Sequence, residues 1–194
     1  MTSDKSKPAL FLDRDGVINK NYGFVSEKES FDFVEGIFEF ATWMKSRGYY
    51  LVVVTNQSGI GRGLFSQEQF NSLTTWMRNQ FSENGAGLDL VLVETMNPED
   101  PFVSAIQMGR RKPAPGMFFE ARDLLNIDLS NSIMIGDSLS DMEAAINAGV
   151  STRFLLNTNT SLSANYSVVK DFAECRTLIN SFIEERDKNK SESS

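Results

Sequence analysis

Histidine is absent from this chain of 194 residues, and cysteine occurs once, at Cys175. The first absence excludes a Ser-His-Asp triad, a Cys-His dyad and any histidine-ligated zinc. The second excludes an intrachain disulfide and fits a reducing compartment. Cys175 itself reads as an apolar residue on a helix face near the C-terminus. Basic residues are in deficit, 19 Lys and Arg against 26 Asp and Glu, a net charge of −7. Neither nucleic acid nor an anionic membrane is therefore an expected partner. No apolar run reaches the ~20 residues of a membrane span, and Met1–Pro8 lacks the apolar core of a signal peptide. The expectation is a cytoplasmic monomer.

Hydrophobic residues make up 41% of the chain, enough for a substantial core. The pattern predicts one domain over residues 9–186 between flexible tails at 1–8 and 187–194. Strands are expected at Leu10–Leu12, Tyr50–Val54, Leu88–Val93, Ser132–Ile135 and Thr152–Leu156. Helices are expected over Gly36–Arg47, from Ser66 to about Ser82, and over Met117–Leu125, Met142–Ala148 and Asp171–Arg186. Ser66 with Gln69 makes a capping box, and Gly48 and Gly149 read as helix stops. Asn19–Phe33 reads as a loop over the end of the sheet, and Glu94–Gly109 as irregular. Strands that alternate with helices imply an α/β fold: a three-layer, Rossmann-like parallel sheet with helices on both faces.

Three of these strands end in polar groups. Ala9-Leu10-Phe11-Leu12 runs into Asp13-Arg14-Asp15-Gly16, Tyr50–Val54 into Thr55-Asn56-Gln57-Ser58-Gly59, and Ser132–Ile135 into Gly136-Asp137-Ser138-Leu139-Ser140-Asp141. Taken singly, each is compatible with an ordinary polar turn, and Asp141 with a helix-terminal acid. In a parallel sheet, all three ends share one edge, where open α/β sheets keep their ligands. Carboxylates gathered there repel unless a cation sits among them, and oxygen ligands of this kind suit Mg²⁺. The basic segment Arg110-Arg111-Lys112 supplies positive charge in an otherwise acidic chain. Nucleophile, metal, hydroxyl or amide donors and a lysine together fit phosphoryl transfer.

Asp13-x-Asp15-Gly16, Thr55-Asn56, Lys112 and Gly136-Asp137-x-x-x-Asp141 resemble, in order and spacing, the four motifs of the haloacid dehalogenase (HAD) superfamily of phosphatases. The match spans about Leu10 to Leu156. The fuller strings Phe-Leu-Asp-Arg-Asp-Gly-Val-Ile-Asn, Val-Val-Thr-Asn-Gln-Ser-Gly-Ile-Gly-Arg-Gly and Arg-Lys-Pro-x-Pro-Gly-Met resemble the branch containing heptose bisphosphate and histidinol-phosphate phosphatases. The resemblance implies that Asp13 is the nucleophile and Asp15 the general acid and base. Mg²⁺ would be held by Asp13, the carbonyl of Asp15, and Asp137. Thr55 and Asn56 would bind the phosphoryl group and Lys112 would neutralise it. Arg111, with Gln57, Ser58 and Arg62, would contact a small phosphorylated sugar. The 7-phosphate of D-glycero-D-manno-heptose 1,7-bisphosphate is the leading substrate. Histidinol phosphate or another small sugar phosphate is the alternative, and a catalytically retired phosphate-binding homologue is the alternative of another class.

Many members of that branch carry a zinc loop of three Cys and one His before Arg-Lys-Pro. Glu94–Arg110 has neither residue type, so no zinc is expected. Packing of Pro98, Pro101, Phe102, Val103, Ile106 and Met108 would have to hold this loop. The intervals between motifs leave no room for a cap domain. Specificity would then rest on short loops such as Asn21–Lys28 and Gly59–Phe65, while Arg110 and Arg62 could equally be solvated charges.

Overall fold

The computed structural model describes residues 6–156 and 163–192, with side chains as far as Phe182. Six strands form one parallel sheet: β1 (Ala9–Leu12), β2 (Tyr50–Asn56), β3 (Leu90–Glu94), β4 (Ile133–Gly136), β5 (Thr152–Leu156) and β6 (Ser167–Val169), in the order β3-β2-β1-β4-β5-β6. β1 therefore lies at the centre. Leu12 stands beside Val53 on one side and Ile135 on the other. The chain order reverses between β1 and β4, which opens a crevice at their carboxyl ends.

Buried strands in such a sheet feed side chains to both faces alternately. Leu10 and Leu12 of β1 join Val53, Ile135 and Phe154 on one face, against α1 (Ile37–Ser46), α3 (Gln67–Glu83) and α7 (Phe172–Glu192). Ala9 and Phe11 join Val52, Val54 and Met134 on the other, against α5 (Gly116–Leu125) and α6 (Leu139–Ala148). The rings of Phe11 and Phe118 meet there at 4.7 Å. Cys175 lies in the first core as expected, together with Trp43, and Trp76 packs on its margin.

The Ser66–Gln69 capping box forms reciprocally, with Ser66 Oγ accepting from the Gln69 amide (3.1 Å) and Gln69 Oε1 accepting from the Ser66 amide (2.8 Å). Several boundaries differ from the sequence reading. A short helix, α2 (Ser58–Gly61), follows β2, and β3 begins two residues later than expected. α6 starts at Leu139 because Ser138 and Asp141 form a second capping box. Strand β6 is an unanticipated three-residue edge strand. Residues 1–5 of the expected N-terminal tail lie outside the described residues, while Lys7 already pairs its backbone with Asn126 and Asp128. At the other end, α7 continues beyond Arg186 to Glu192.

The Glu94–Gly109 stretch is not irregular throughout. It contains α4 (Ala105–Arg110), opened by a capping box of Ser104 and Gln107. Nor does apolar packing hold it. Phe102 is 93% exposed and Ile106 78%, and Met108 is also exposed. Polar groups do the holding: the buried Glu94 accepts from the amides of Thr95 and Met96 and from Arg110. Arg110 also pairs with Glu120 at 2.8 Å. It is thus an anchored ion-pair residue rather than a solvated basic turn.

Candidate active site

The loops leaving β1, β2 and β4, joined by the segment before α5, surround a cleft of about 300 Å³. Asp13, Asp15, Asn56, Gln57, Ser58, Lys112 and Asp137 line it, together with Asn21, Gly23 and Phe24. Apolar β1 is fully buried up to Leu12, so the chain can turn polar only where the sheet ends.

Lys112 sits at the centre and is 3% exposed. Its Nζ donates to Asp13 Oδ1 (2.9 Å), Asp141 Oδ1 (2.5 Å) and the carbonyl of Val54 (2.8 Å). Burial alone would push the ammonium's pKa down, but the charges of Asp13 and Asp141 outweigh it and raise it. Asp13 is pushed up to about 7, chiefly by burial and further by the charges of Asp141 and Asp137, against the opposing pull of Lys112. Its Oδ1 also accepts from the Arg14 amide at 2.7 Å. No hydrogen bond engages its Oδ2 among the described residues. Asp137 is likewise raised, first by burial and then by Asp141.

Carboxylate oxygens of Asp13, Asp137 and Asp141 lie within 4.8 Å of one another. Asp141 is fully buried and already spends Oδ1 on Lys112 and Oδ2 on the amide and hydroxyl of Ser138. Asp13 and Asp137 are left as the carboxylates able to hold a cation. One ammonium faces three acids, and an oxygen-seeking divalent ion beside Asp13 and Asp137 fits that imbalance. Gly16 makes the approach possible. Its φ is +88°, and a Cβ built there would stand 2.0 Å from Asp137 Oδ2.

Asp15 is held by donors alone. Arg14 Nη2 reaches both of its oxygens at 3.0 Å, Asn19 Nδ2 reaches Oδ1 at 3.0 Å, and Gln57 Nε2 reaches Oδ2 at 2.7 Å. Arg14 is fully buried and also donates to the carbonyl of Val25 at 2.7 Å. Neither Arg14 nor Asn19 stands out in the sequence. The pairing is local, within four residues of Asp15, but nothing in the residue types alone distinguishes a buried arginine from a surface one.

The remaining candidates are distributed unevenly. Gln57 Nε2 also donates to the buried Thr55 hydroxyl at 3.0 Å. The Asn56 amide bonds to the backbone of Lys112. Arg111 is half-buried, and its Nη1 makes no hydrogen bond. Burial pushes its guanidinium down, offset in part by Glu94. Arg62 is forked onto Glu99 at 3.0 and 3.2 Å, and it does not border the cleft. The two loops expected to set specificity do meet: a Cβ at Gly59 would collide with the rings of Phe65 and Phe24.

A family model described as HAD-hydrolase-like matches residues 109–175. A D-glycero-β-D-manno-heptose-1,7-bisphosphate 7-phosphatase of Vibrio cholerae is 49% identical over 154 residues, covering 79% of this chain and 83% of the relative. The chain belongs to this family of HAD-like phosphatases. The counterpart from Escherichia coli strain K12 is 44% identical, covering 79% and 81% respectively. The crystal structure of D,D-heptose 1,7-bisphosphate phosphatase from B. bronchiseptica, complexed with magnesium and phosphate, superposes with a TM-score of 0.77 at 27% identity. It covers 90% of this chain and 99% of that one. Magnesium is the ion that oxygen ligands such as those of Asp13 and Asp137 suit. Among its described residues, no helix is long and apolar enough to cross a membrane.

Proposed function

We propose that this phosphatase removes the 7-phosphate of D-glycero-β-D-manno-heptose 1,7-bisphosphate, with Asp13 as nucleophile. The observation that carries this reading is the convergence of Asp13, Asp137 and Lys112 at the β1–β4 crevice, with no hydrogen bond on Asp13 Oδ2 among the described residues. The relatives' names supply the substrate and its β configuration.

Asp13 Oδ2 attacks phosphorus and the bond to the sugar oxygen breaks, leaving an aspartyl-phosphate. Asp15 delivers a proton to the departing oxygen, then accepts one from the water that hydrolyses the intermediate and frees inorganic phosphate. Lys112 balances the charge that develops on the phosphoryl oxygens. Mg²⁺ bound by Asp13, the Asp15 carbonyl and Asp137 would offset repulsion between the nucleophile and an anionic substrate. Ser58, which lines the cleft, and the buried Thr55, which does not, are the candidates to hold phosphoryl oxygens; Arg111, like Arg62 not among the cleft-lining residues, is the candidate to contact the part of the substrate that extends beyond them. The chain lacks the Cys and His set of a zinc loop, and the Glu94–Arg110–Glu120 ion pairs hold that segment instead. A capless, cytoplasmic monomer remains part of the proposal.

The test compares phosphate release from the heptose bisphosphate, from histidinol phosphate and from a panel of sugar phosphates, with and without EDTA. Wild-type protein should prefer the heptose bisphosphate and lose turnover in chelator. Asp13→Asn should be inactive with an unchanged circular dichroism spectrum. A preference for histidinol phosphate would replace the substrate, and an active Asp13→Asn would remove the nucleophile. Metal analysis finding stoichiometric zinc would overturn the reading of Glu94–Arg110.

A further inference from the structure

The geometry points to Asn56 as a positioning residue for Lys112, acting through that residue's backbone rather than on the phosphoryl group. This inference rests on the assignment of Lys112 above. Asn56 is the last residue of β2, and its side-chain amide is committed across 56 residues of sequence. Nδ2 donates to the Lys112 carbonyl at 3.0 Å, and Oδ1 accepts from the Lys112 amide at 3.2 Å. The same carboxamide thus closes both backbone groups of one residue, as a strand neighbour would.

This clamp answers a mechanical problem. Lys112 lies in a non-helical segment between α4 and α5, not on a strand. Its ammonium is tied to Asp13, Asp141 and Val54, but those bonds fix only the far end of a flexible chain. The Asn56 clamp fixes the near end to the sheet that also carries Asp13. Beside it, Asn56 is in register with Glu94 of β3, and Glu94 holds Arg110 two residues before Lys112. Adjacent strand ends therefore stitch the 110–112 segment down at two points. The lysine's distance from the nucleophile is inherited from the sheet and not from the loop.

The two bonds also use the groups that would have faced substrate. A carboxamide has one acceptor oxygen and one donor nitrogen, and here both atoms point to Lys112. A direct phosphoryl contact would have to come from the second Nδ2 proton alone.

Kinetics on the full-length, Mg²⁺-loaded enzyme separate the two roles. Asn56→Ala should lower kcat about ten- to hundredfold, the scale of an ångström of misplacement at a reacting centre, with KM within about twofold. In a Lys112→Ala background, measured with enzyme in excess over substrate, adding Asn56→Ala should change the rate by less than about twofold. Asn56→Asp, which keeps the acceptor but turns a carboxylate on the Lys112 carbonyl, should resemble Asn56→Ala. A full additional loss in the Lys112→Ala background, a loss in KM alone, or wild-type kcat in Asn56→Ala would overturn the inference. Should Lys112→Ala leave no measurable rate, the split between kcat and KM in the single variant decides. Wild-type turnover in Lys112→Ala would instead sink the assignment of Lys112, a failure distinct from that of the clamp.

Discussion

Gly16→Ala tests whether Asp137 stands where the chemistry needs it. The new Cβ would lie 2.0 Å from Asp137 Oδ2, 2.5 Å from Cγ and 2.8 Å from Cβ. Ordinary contact begins near 3.4 Å, so the carboxylate must retreat by about 1.4 Å or the β1 turn must shift by as much. A displacement of that size costs about a hundredfold in turnover, close to 2.7 kcal/mol of transition-state stabilisation. A side chain at φ +88° adds a backbone cost of about 1–2 kcal/mol to folding. Gly48→Ala separates the two effects. Its φ is +82°, and a Cβ there would meet nothing within 4 Å. Both variants should lose thermal stability through the backbone, Gly16→Ala more so because it must also relieve the overlap with Asp137. Only Gly16→Ala should lose activity, and its Mg²⁺ titration should shift to higher concentration. Turnover within tenfold of wild type in Gly16→Ala would refute the placement of Asp137 at the metal.

Metal binding should also depend on pH through Asp13. Its carboxyl, raised to about 7 by burial, binds a proton more tightly in the folded chain than in the unfolded one. This group therefore makes the metal-free protein less stable as pH rises from about 4 to about 7, and Mg²⁺ must displace the proton below that point. Thermal melts from pH 5.5 to 8 should show the stabilisation by Mg²⁺ growing toward pH 7 and then levelling; stabilisation equal at pH 5.5 and 8 would contradict it. In the second core layer, Phe118→Ala removes a fully buried ring in contact with Phe11. Urea unfolding should report a loss of about 3–5 kcal/mol, and a loss under 1 kcal/mol would show that this interface is not packed as described.

What the residues determine by themselves is the frame. Apolar runs that give way to polar groups at Asp13, Thr55 and Asp137 read as buried strands that each end in a polar constellation. Alternation with helical patterns makes those strands parallel, and parallel strands put their ends on one edge. The Ser66 cap and the Gly48 and Gly149 stops are local, so they too are readable along the chain. The same kind of signal at Ser104–Gln107 is easily passed over, because a six-residue helix with no buried side chain leaves no apolar period to notice.

Tertiary structure alone decided which polar group meets which. Asn56 closes on Lys112, Gln57 on Asp15, Arg62 on Glu99 and Arg110 on Glu94. Amide and guanidinium side chains have many eligible partners in sequence. The choice among them is made by distances of about 3 Å between residues tens of positions apart. Those distances come from the strand order and register, which no window of neighbouring residues contains.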